Sequence, residues 1–246
     1  MNLSAEHLIT VAVIVIAITL LVAAARLRPG PWTDVAAHAL ALLIVFNEVG
    51  WWVWAWQMKA LSLQNNLPLF LCDIAAFVAA AALITRAPLL VEMTYFWGIA
   101  GTANGIVSPD IGDHFPSYPF FQYFIQHAAI PAAALFLVVG LRLYPRPWAV
   151  VRVFALSVAL VAVDALANLL TNGNYMFLRT VPPGGNLLDL FGPWPWYIFG
   201  GALLTVIFFA ALDLPFRIGA LSRALSRTER YRPPASPPSP RPRPGR

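Results

Sequence analysis

Residues 6–25 read EHLITVAVIVIAITLLVAAA, with one acidic residue and no lysine or arginine. An α-helix rises about 1.5 Å per residue, so about 20 apolar residues cross the roughly 30 Å hydrocarbon core of a bilayer. This stretch is therefore predicted to be a membrane-spanning helix. Six more segments of this kind follow it, and together they predict spans at 6–25, 36–58, 67–85, 88–108, 120–141, 151–171 and 194–216.

The composition of the whole chain excludes an ordinary soluble globule. Of its 246 residues, 59% are hydrophobic and 11% are charged, whereas soluble domains carry about 25% charged residues. The single cysteine, Cys72, excludes a disulfide-stapled secreted scaffold. No span alternates with period two, which argues against a β-barrel. We therefore predict an all-α membrane protein, a bundle of seven transmembrane helices formed by residues 1–216.

The basic residues predict how this bundle is oriented. Only Lys59 and Arg179 lie in the connections on one side, together with several acidic residues. Cytoplasmic connections carry the excess of lysine and arginine in membrane proteins. We therefore expect the N-terminus outside and the C-terminus in the cytoplasm of a bacterial plasma membrane. The other side holds fourteen basic residues, namely Arg26, Arg28, Arg86, Arg142, Arg146, Arg152 and the eight arginines of the tail.

The tail, residues 217–246, differs in character from the bundle. Ile218, Leu221 and Leu225 are spaced among arginines, which favours a short amphipathic helix on the anionic inner leaflet. Beyond Arg232 the sequence is rich in proline, serine and arginine and is predicted to be largely disordered. Membrane orientation and attraction to lipid account for the arginines, so we expect membrane lipids as partners and no nucleic acid.

Polar residues within the predicted spans concentrate in the outer half of the membrane. Ionisable groups there are costly, so each indicates a partner or a function. Depths counted at about 1.5 Å per residue predict an outward-facing polar cavity walled by spans 2 to 6. The alternative is a set of interhelical hydrogen bonds that hold the bundle together. Glu92 lies near the inner face, where we expect it to snorkel or pair with Arg86. The residues predicted to bind a substrate are Glu48, Asn104, Gln126, Asp164 and Asn168.

Three residues are candidates for catalysis. His127 could act as a general base, a proton carrier or a structural donor. Cys72 is either a nucleophile or a small buried apolar residue. Asp73 is expected to accept hydrogen bonds from a neighbouring span or from His127. The chain contains no Walker-type glycine loop, Gly-x-Gly-x-x-Gly, His-Glu-x-x-His or Cys-x-x-Cys motif, so we expect no cofactor and no metal.

Five motifs stand out in the chain: Leu67–Asp73, Ser108–Pro116, Phe120–His127, Asn174–Leu178 and Leu187–Tyr197. They resemble the YwaF-type family of bacterial integral membrane proteins, with similarity over nearly all of 36–216. The resemblance implies a lipid acyl-transfer activity, because animal relatives of that family include a cysteine-centred phospholipid acyltransferase. The animal proteins carry Cys-His where this chain has Leu69 and Phe70, the cysteine of the bacterial group is Cys72, and His127 matches both groups.

Three functions remain open from the sequence. The first is an enzyme acting on lipid acyl groups from the outer leaflet, with His127 as base, Asp73 or Asp164 as its orienting carboxylate and Cys72 as nucleophile. The second is a non-catalytic protein that binds or transports a small solute or a lipid headgroup in the same cavity. The third is a structural or accessory subunit. The sequence leaves the substrate and the oligomeric state open.

Overall fold

The computed structural model describes residues 4–181 and 187–230, and every regular element in those ranges is a helix. Two helices continue into π-turns: Trp97–Thr102 follows the helix that ends at Phe96, and Phe136–Gly140 extends the helix that ends at Leu135. Short 3₁₀ turns occupy Tyr175–Phe177 and Leu187–Phe191. In chain order the helices are α1 (Ala5–Leu27), α2 (Trp32–Gln57), α3 (Leu71–Thr85), α4 (Pro88–Phe96), α5 (Asn104–Val107), α6 (Tyr118–Leu135), α7 (Ala149–Thr171) and α8 (Trp196–Arg230).

Five helices are long and apolar enough to cross a membrane: α1, α2, α6 with its π-turn, α7 and α8 up to Gly219. The multi-pass membrane character predicted from the sequence is thereby confirmed. The segments predicted at 67–85 and 88–108 differ from the other five, because neither forms one helix of spanning length.

The first of these segments begins later than predicted. Helix α3 starts at Leu71 and has 15 residues, a rise of about 22 Å. Pro68 disfavours helical conformation at Leu67, and the Leu67 N–H donates to the hydroxyl of Tyr175 at 3.0 Å. The start of the predicted span is therefore held as a loop, and its helix is shorter than the bilayer core is thick.

The second segment is helical but interrupted. Helix α4 ends at Phe96, the π-turn follows, and the four-residue α5 completes the segment. Single π-turns commonly occur where close packing or function distorts a helix. Such packing exists at Gly101, where a Cβ atom would lie 2.5 Å from Cδ2 of Leu71. The predicted span 88–108 is thus a distorted helix fitted around the start of α3.

The alanine-rich stretch of α3 lies in the core of the bundle. Ala75, Ala76 and Ala79 are completely buried, and α3 packs against α2, α4 and α6. Small side chains allow helix backbones to approach closely within a membrane. Helix α1, by contrast, exposes Ile9 and Leu20, an apolar surface suited to contact with lipid hydrocarbon.

The arginine-rich connections meet at one end of the bundle. Glu92 was expected to snorkel or to pair with Arg86, but Arg86 ends α3 in a left-handed conformation (φ 54°) and pairs with Asp34. Glu92 is only 1% exposed and accepts hydrogen bonds from the guanidinium groups of Arg146 (Nε 2.8 Å) and Arg152 (Nη2 2.9 Å). The hydrogen bond to Glu92 raises the pKa of Arg146. This cluster ties α4, the loop after α6 and α7 together.

Two compact units are distinguished, Met1–Asp213 and Leu214–Arg246. The first contains all the candidate site residues. In the second, the backbone of α8 remains helical to Arg230. Residues 231–246, which include the whole stretch beyond Arg232 for which disorder is predicted, lie outside the described residues.

Candidate functional site

Three helices contribute polar side chains to one buried cluster. Gln126 of α6 donates from Nε2 to Oε2 of Glu48 on α2 at 2.6 Å and to Oδ1 of Asp73 on α3 at 3.3 Å. Gln122, one turn earlier on α6, donates to Oε1 of Gln126 at 2.9 Å. Among the described residues neither carboxylate is paired with a lysine or arginine, and no three His, Cys, Asp or Glu side chains are arranged to hold a metal ion. The cluster is a carboxamide bridge between two acidic groups.

Cys72 adjoins this cluster at the start of α3. Its Sγ donates to Oδ1 of Asp73 at 3.6 Å, and both residues are half-buried. Asp73 lies in the first turn of α3, where unpaired backbone N–H groups favour a negative charge. Asp73 therefore accepts hydrogen bonds from Gln126 on the neighbouring span α6, one of the two predicted sources, and from Cys72, and not from His127.

His127 is oriented by its own helix. Its Nδ1 lies 2.8 Å from the backbone carbonyl oxygen of Tyr123, and the rings of Tyr123 and His127 stack with centroids 4.1 Å apart. A carbonyl oxygen only accepts hydrogen bonds, so Nδ1 carries the proton and Nε2 is the basic nitrogen. The orienting group is thus a backbone carbonyl and not the predicted carboxylate of Asp73 or Asp164.

Gly105 is a site residue that the sequence reasoning missed. A Cβ atom at Gly105 would lie 2.1 Å from Cδ2 and 2.6 Å from Nε2 of His127, so only glycine leaves room for the imidazole. Four residues earlier, Gly101 accommodates Leu71, the neighbour of Cys72. Two glycines at this spacing are typical of close helix packing, and that signal could have indicated the approach of α3 and α6.

Asn168 lies apart from this cluster and forms hydrogen bonds with the backbone of Tyr175. Its Oδ1 accepts from the backbone N–H of Tyr175 at 2.7 Å, and its Nδ2 donates to the Tyr175 carbonyl at 3.0 Å. The hydroxyl of Tyr175 donates in turn to the carbonyl of Leu63 at 2.7 Å. The ring of Phe70, at a position where the animal relatives carry histidine, packs against Tyr175 with centroids 5.3 Å apart. Asn168 therefore anchors the loop that precedes α3.

Asp164 and Asn104 are also separate from the carboxamide bridge. Asp164 is fully buried on α7, and neither of its carboxylate oxygens has a hydrogen-bond partner among the described residues. Asn104 is exposed at the start of α5. Of the residues predicted to bind a substrate, Glu48 and Gln126 come together, while Asn104, Asp164 and Asn168 have different surroundings.

An open groove of about 710 Å³ lies between α1 and α6. Glu6 and His114 lie among its lining residues, and most of the others are apolar. None of the predicted site residues lines this groove. The polar side chains of α2, α3 and α6 instead bond to one another inside the bundle.

Comparisons with known proteins place this site within one family. The sequence profile of the TMEM164 family matches residues 2–213, a range that includes every site residue described above. An uncharacterized protein of Treponema pallidum (strain Nichols) is 27% identical over 179 residues, which cover 71% of this chain and 72% of the relative. No solved structure matches the chain significantly. The chain belongs to the TMEM164 family.

Proposed function

We propose that this protein is a membrane-embedded enzyme that transfers acyl groups between lipids, with Cys72 as nucleophile and His127 as the acid–base group. The proposal rests on the tautomer of His127 and on its unbonded ring nitrogen. The Tyr123 carbonyl fixes the proton on Nδ1, and Nε2 has no hydrogen-bond partner among the described residues. A basic nitrogen held in this way suits proton transfer. The resemblance to the YwaF-type group also supports the choice of Cys72 and His127.

The packing of α3 supports a working pair of Cys72 and His127. Leu71 fills the space above Gly101, and His127 fills the space above Gly105, so both contact one short segment of chain. Cys72 follows Leu71 directly, at the first turn of α3. In the resting state Asp73 accepts the thiol hydrogen bond and Gln126 holds Asp73 in place. These two are positioning residues in the proposal.

The chemistry proceeds in two balanced half-reactions. In the first, Nε2 of His127 takes the thiol proton while Sγ attacks the carbonyl carbon of a lipid ester. A C–S bond forms, the ester C–O bond breaks, and the leaving oxygen takes the proton from Nε2. In the second, an acceptor hydroxyl gives its proton to Nε2 and attacks the thioester. The new C–O bond forms, the C–S bond breaks, and the thiolate recovers the proton.

We place this reaction at the outer leaflet of a bacterial plasma membrane, with the N-terminus outside. Fourteen of the sixteen lysine and arginine residues support that orientation. Contacts of Arg86 with Asp34 and of Arg146 with Glu92 also join the arginine-rich connections at one end of the bundle. The proposed catalytic pair lies toward the opposite end.

The proposal is tested by searching for the acyl-enzyme. The purified protein is incubated in vesicles of phospholipid and lysophospholipid, and both the lipids and the protein are analysed by mass spectrometry. The chain has one cysteine, so an acyl thioester, which neutral hydroxylamine cleaves, can form only on Cys72. We expect Cys72→Ser to lose the thioester adduct and the new acyl species together. New acyl species that persist in Cys72→Ser would contradict the role of Cys72 as nucleophile.

A second function, binding of an ammonium-bearing solute or headgroup, is favoured by Asp164. A buried carboxylate with no partner destabilises the fold, which is typical of a group retained for a ligand. We expect Asp164→Asn to raise the thermal unfolding midpoint and to abolish the stabilisation that added phosphoethanolamine gives the native protein. Asp113→Asn, in an exposed loop, serves as the control. Equal responses of the native protein and Asp164→Asn to phosphoethanolamine would reject this function.

A further inference from the structure

The groove between α1 and α6 has the dimensions of a ligand site. Its volume of about 710 Å³ falls within the roughly 300–1,000 Å³ of most small-molecule pockets. Ile9 and Val13 of α1 form one wall, and Phe121 and Phe124 of α6 form the other. Ile9 is 64% exposed and Val13 is 61% exposed, so these large apolar side chains remain uncovered between two membrane-spanning helices.

The walls of the groove present no unpaired hydrogen-bonding group to an occupant. Beyond Glu6, Thr10 is the one polar residue that α1 contributes to the groove lining. Its hydroxyl donates to the Glu6 carbonyl at 2.8 Å and is therefore already satisfied. A hydrocarbon chain can lie along this surface without leaving a hydrogen-bonding group unpaired.

Selectivity has to come from the polar end of the groove. Lipid tails are as apolar as the groove walls, so moving a chain from the bilayer into the groove gains little hydrophobic free energy. At the polar end, Nδ1 of His114 lies 2.8 Å from Oε2 of Glu6, and Oε1 of Glu6 accepts from the backbone N–H of Phe115 at 2.5 Å. The groove thus ends in one acidic and one basic group side by side.

This acid–base pair is complementary to a zwitterionic lipid headgroup. A carboxylate attracts an ammonium group, and a protonated imidazole attracts a phosphate. The His114 side chain is 67% exposed and that of Glu6 is 27% exposed, so both can be reached from the aqueous interface. An anionic headgroup without an amine would leave Glu6 facing negative charge.

The groove also adjoins the segment that holds His127. The lining residues Phe124 and Ala128 lie three positions before and one position after His127 on α6. On the α1 side, Nε2 of His7 lies 2.8 Å from the carbonyl oxygen of Ile106, the residue after Gly105. An acyl chain in the groove would therefore run beside the helix that carries the proposed acid–base group.

We propose that this groove binds one acyl chain of a zwitterionic, amine-bearing phospholipid, with the headgroup held by Glu6 and His114. Its assignment as the place of the donor lipid rests on the acyl-transfer function proposed above. The binding itself does not, because it depends only on the groove and its polar end.

The test uses a phosphatidylethanolamine probe with a photoactivatable group in its acyl chain. The full chain is reconstituted in vesicles of phosphatidylethanolamine and phosphatidylglycerol, irradiated and mapped by mass spectrometry. We expect adducts on peptides of α1 and α6 that are lost in Val13→Trp, which fills the groove. Val15→Trp is the matched control, because Val15 is 54% exposed on the same helix and does not line the groove.

The headgroup is tested by competition between the ethanolamine probe and an equivalent glycerol probe. We expect Glu6→Gln to lower the preference for the ethanolamine probe by about tenfold, because a charge-assisted hydrogen bond is lost. Glu6→Gln also loosens the contact with His114, so His114→Gln is measured beside it. His114→Gln retains the Glu6 carboxylate and should keep the ethanolamine preference.

Failure of the groove proposal and failure of the enzyme proposal give different results. Equal labelling of Val13→Trp and Val15→Trp, or adducts outside α1 and α6, would overturn the groove proposal whatever the activity. Cross-links from this face to a second copy of the chain would also overturn it, since the face would then be a protein interface. Selective labelling without any acyl product would support the groove and reject acyl transfer.

Discussion

His127→Ala is expected to lower the rate of acyl transfer by about 10²–10⁴-fold, the usual contribution of a general acid–base group. The imidazole is the group proposed to move the proton in both half-reactions, and its Nδ1–H is committed to the Tyr123 carbonyl. The measurement compares equal amounts of native protein and variant in vesicles of phospholipid and lysophospholipid, with new acyl species counted by mass spectrometry over time.

Three further variants separate the loss of the base from general damage. His38→Ala removes an exposed histidine of α2 whose Nδ1 contacts the Asp34 carbonyl, and it should retain full activity. Gly105→Ala leaves His127 in the chain but forces its ring to move, so activity should fall while folding persists. Gly112→Ala, with open space around its Cβ position, should change nothing. A similar loss in His38→Ala and His127→Ala would refute the role of His127.

Glu92→Ala is expected to lower the free energy of unfolding by about 1.5–3 kcal/mol, because two partly exposed guanidinium groups lose the charge-assisted hydrogen bonds to their shared carboxylate. Glu92 is 1% exposed, and it receives three hydrogen bonds from Arg146, one of them from the backbone, and three from Arg152. The thermal unfolding midpoint of the reconstituted protein reports the loss.

The matched control for Glu92 is the second acid–arginine pair at the same end of the bundle. Asp34 pairs with Arg86, and their side chains are 59% and 41% exposed. Exposed pairs contribute about 0–1 kcal/mol, so Asp34→Ala should cost little. Equal destabilisation by Glu92→Ala and Asp34→Ala would mean that burial does not strengthen the Glu92 cluster.

Hydropathy predicted the membrane helices because their length is set by the bilayer and not by particular neighbours. It could not predict the late start of α3, which depends on Tyr175 more than a hundred residues away in sequence. The interruption of the 88–108 segment likewise follows from the packing of Leu71 against Gly101. Both differences are tertiary effects that overrule a local apolar pattern.

The contacts of the candidate site also fall into two groups, those that helix geometry predicts and those that depend on distant parts of the chain. Residues one turn apart, such as Gln122 with Gln126 and Tyr123 with His127, are neighbours by helix geometry alone. The partner of Asn168 lies in a loop beyond the end of its own helix, and Glu92 pairs with arginines from elsewhere in the chain. Tyr175 and Arg146 lie outside the long helices, in segments whose conformation has no periodic signal in the sequence, and Arg152 comes from the separate helix α7.

The short α3 has a consequence for the fate of an acyl-enzyme. Its 15 residues rise about 22 Å, so a bilayer crossing at α3 would leave roughly 8 Å of the hydrocarbon thickness to the preceding loop. That loop contains Gln64, Asn65 and Asn66, and its backbone groups need protein or water partners. A thioester on Cys72 would form beside this polar loop, in which Gln64 and Asn65 are exposed. Water would then compete with the lipid acceptor, so free fatty acid should accumulate whenever lysophospholipid is scarce.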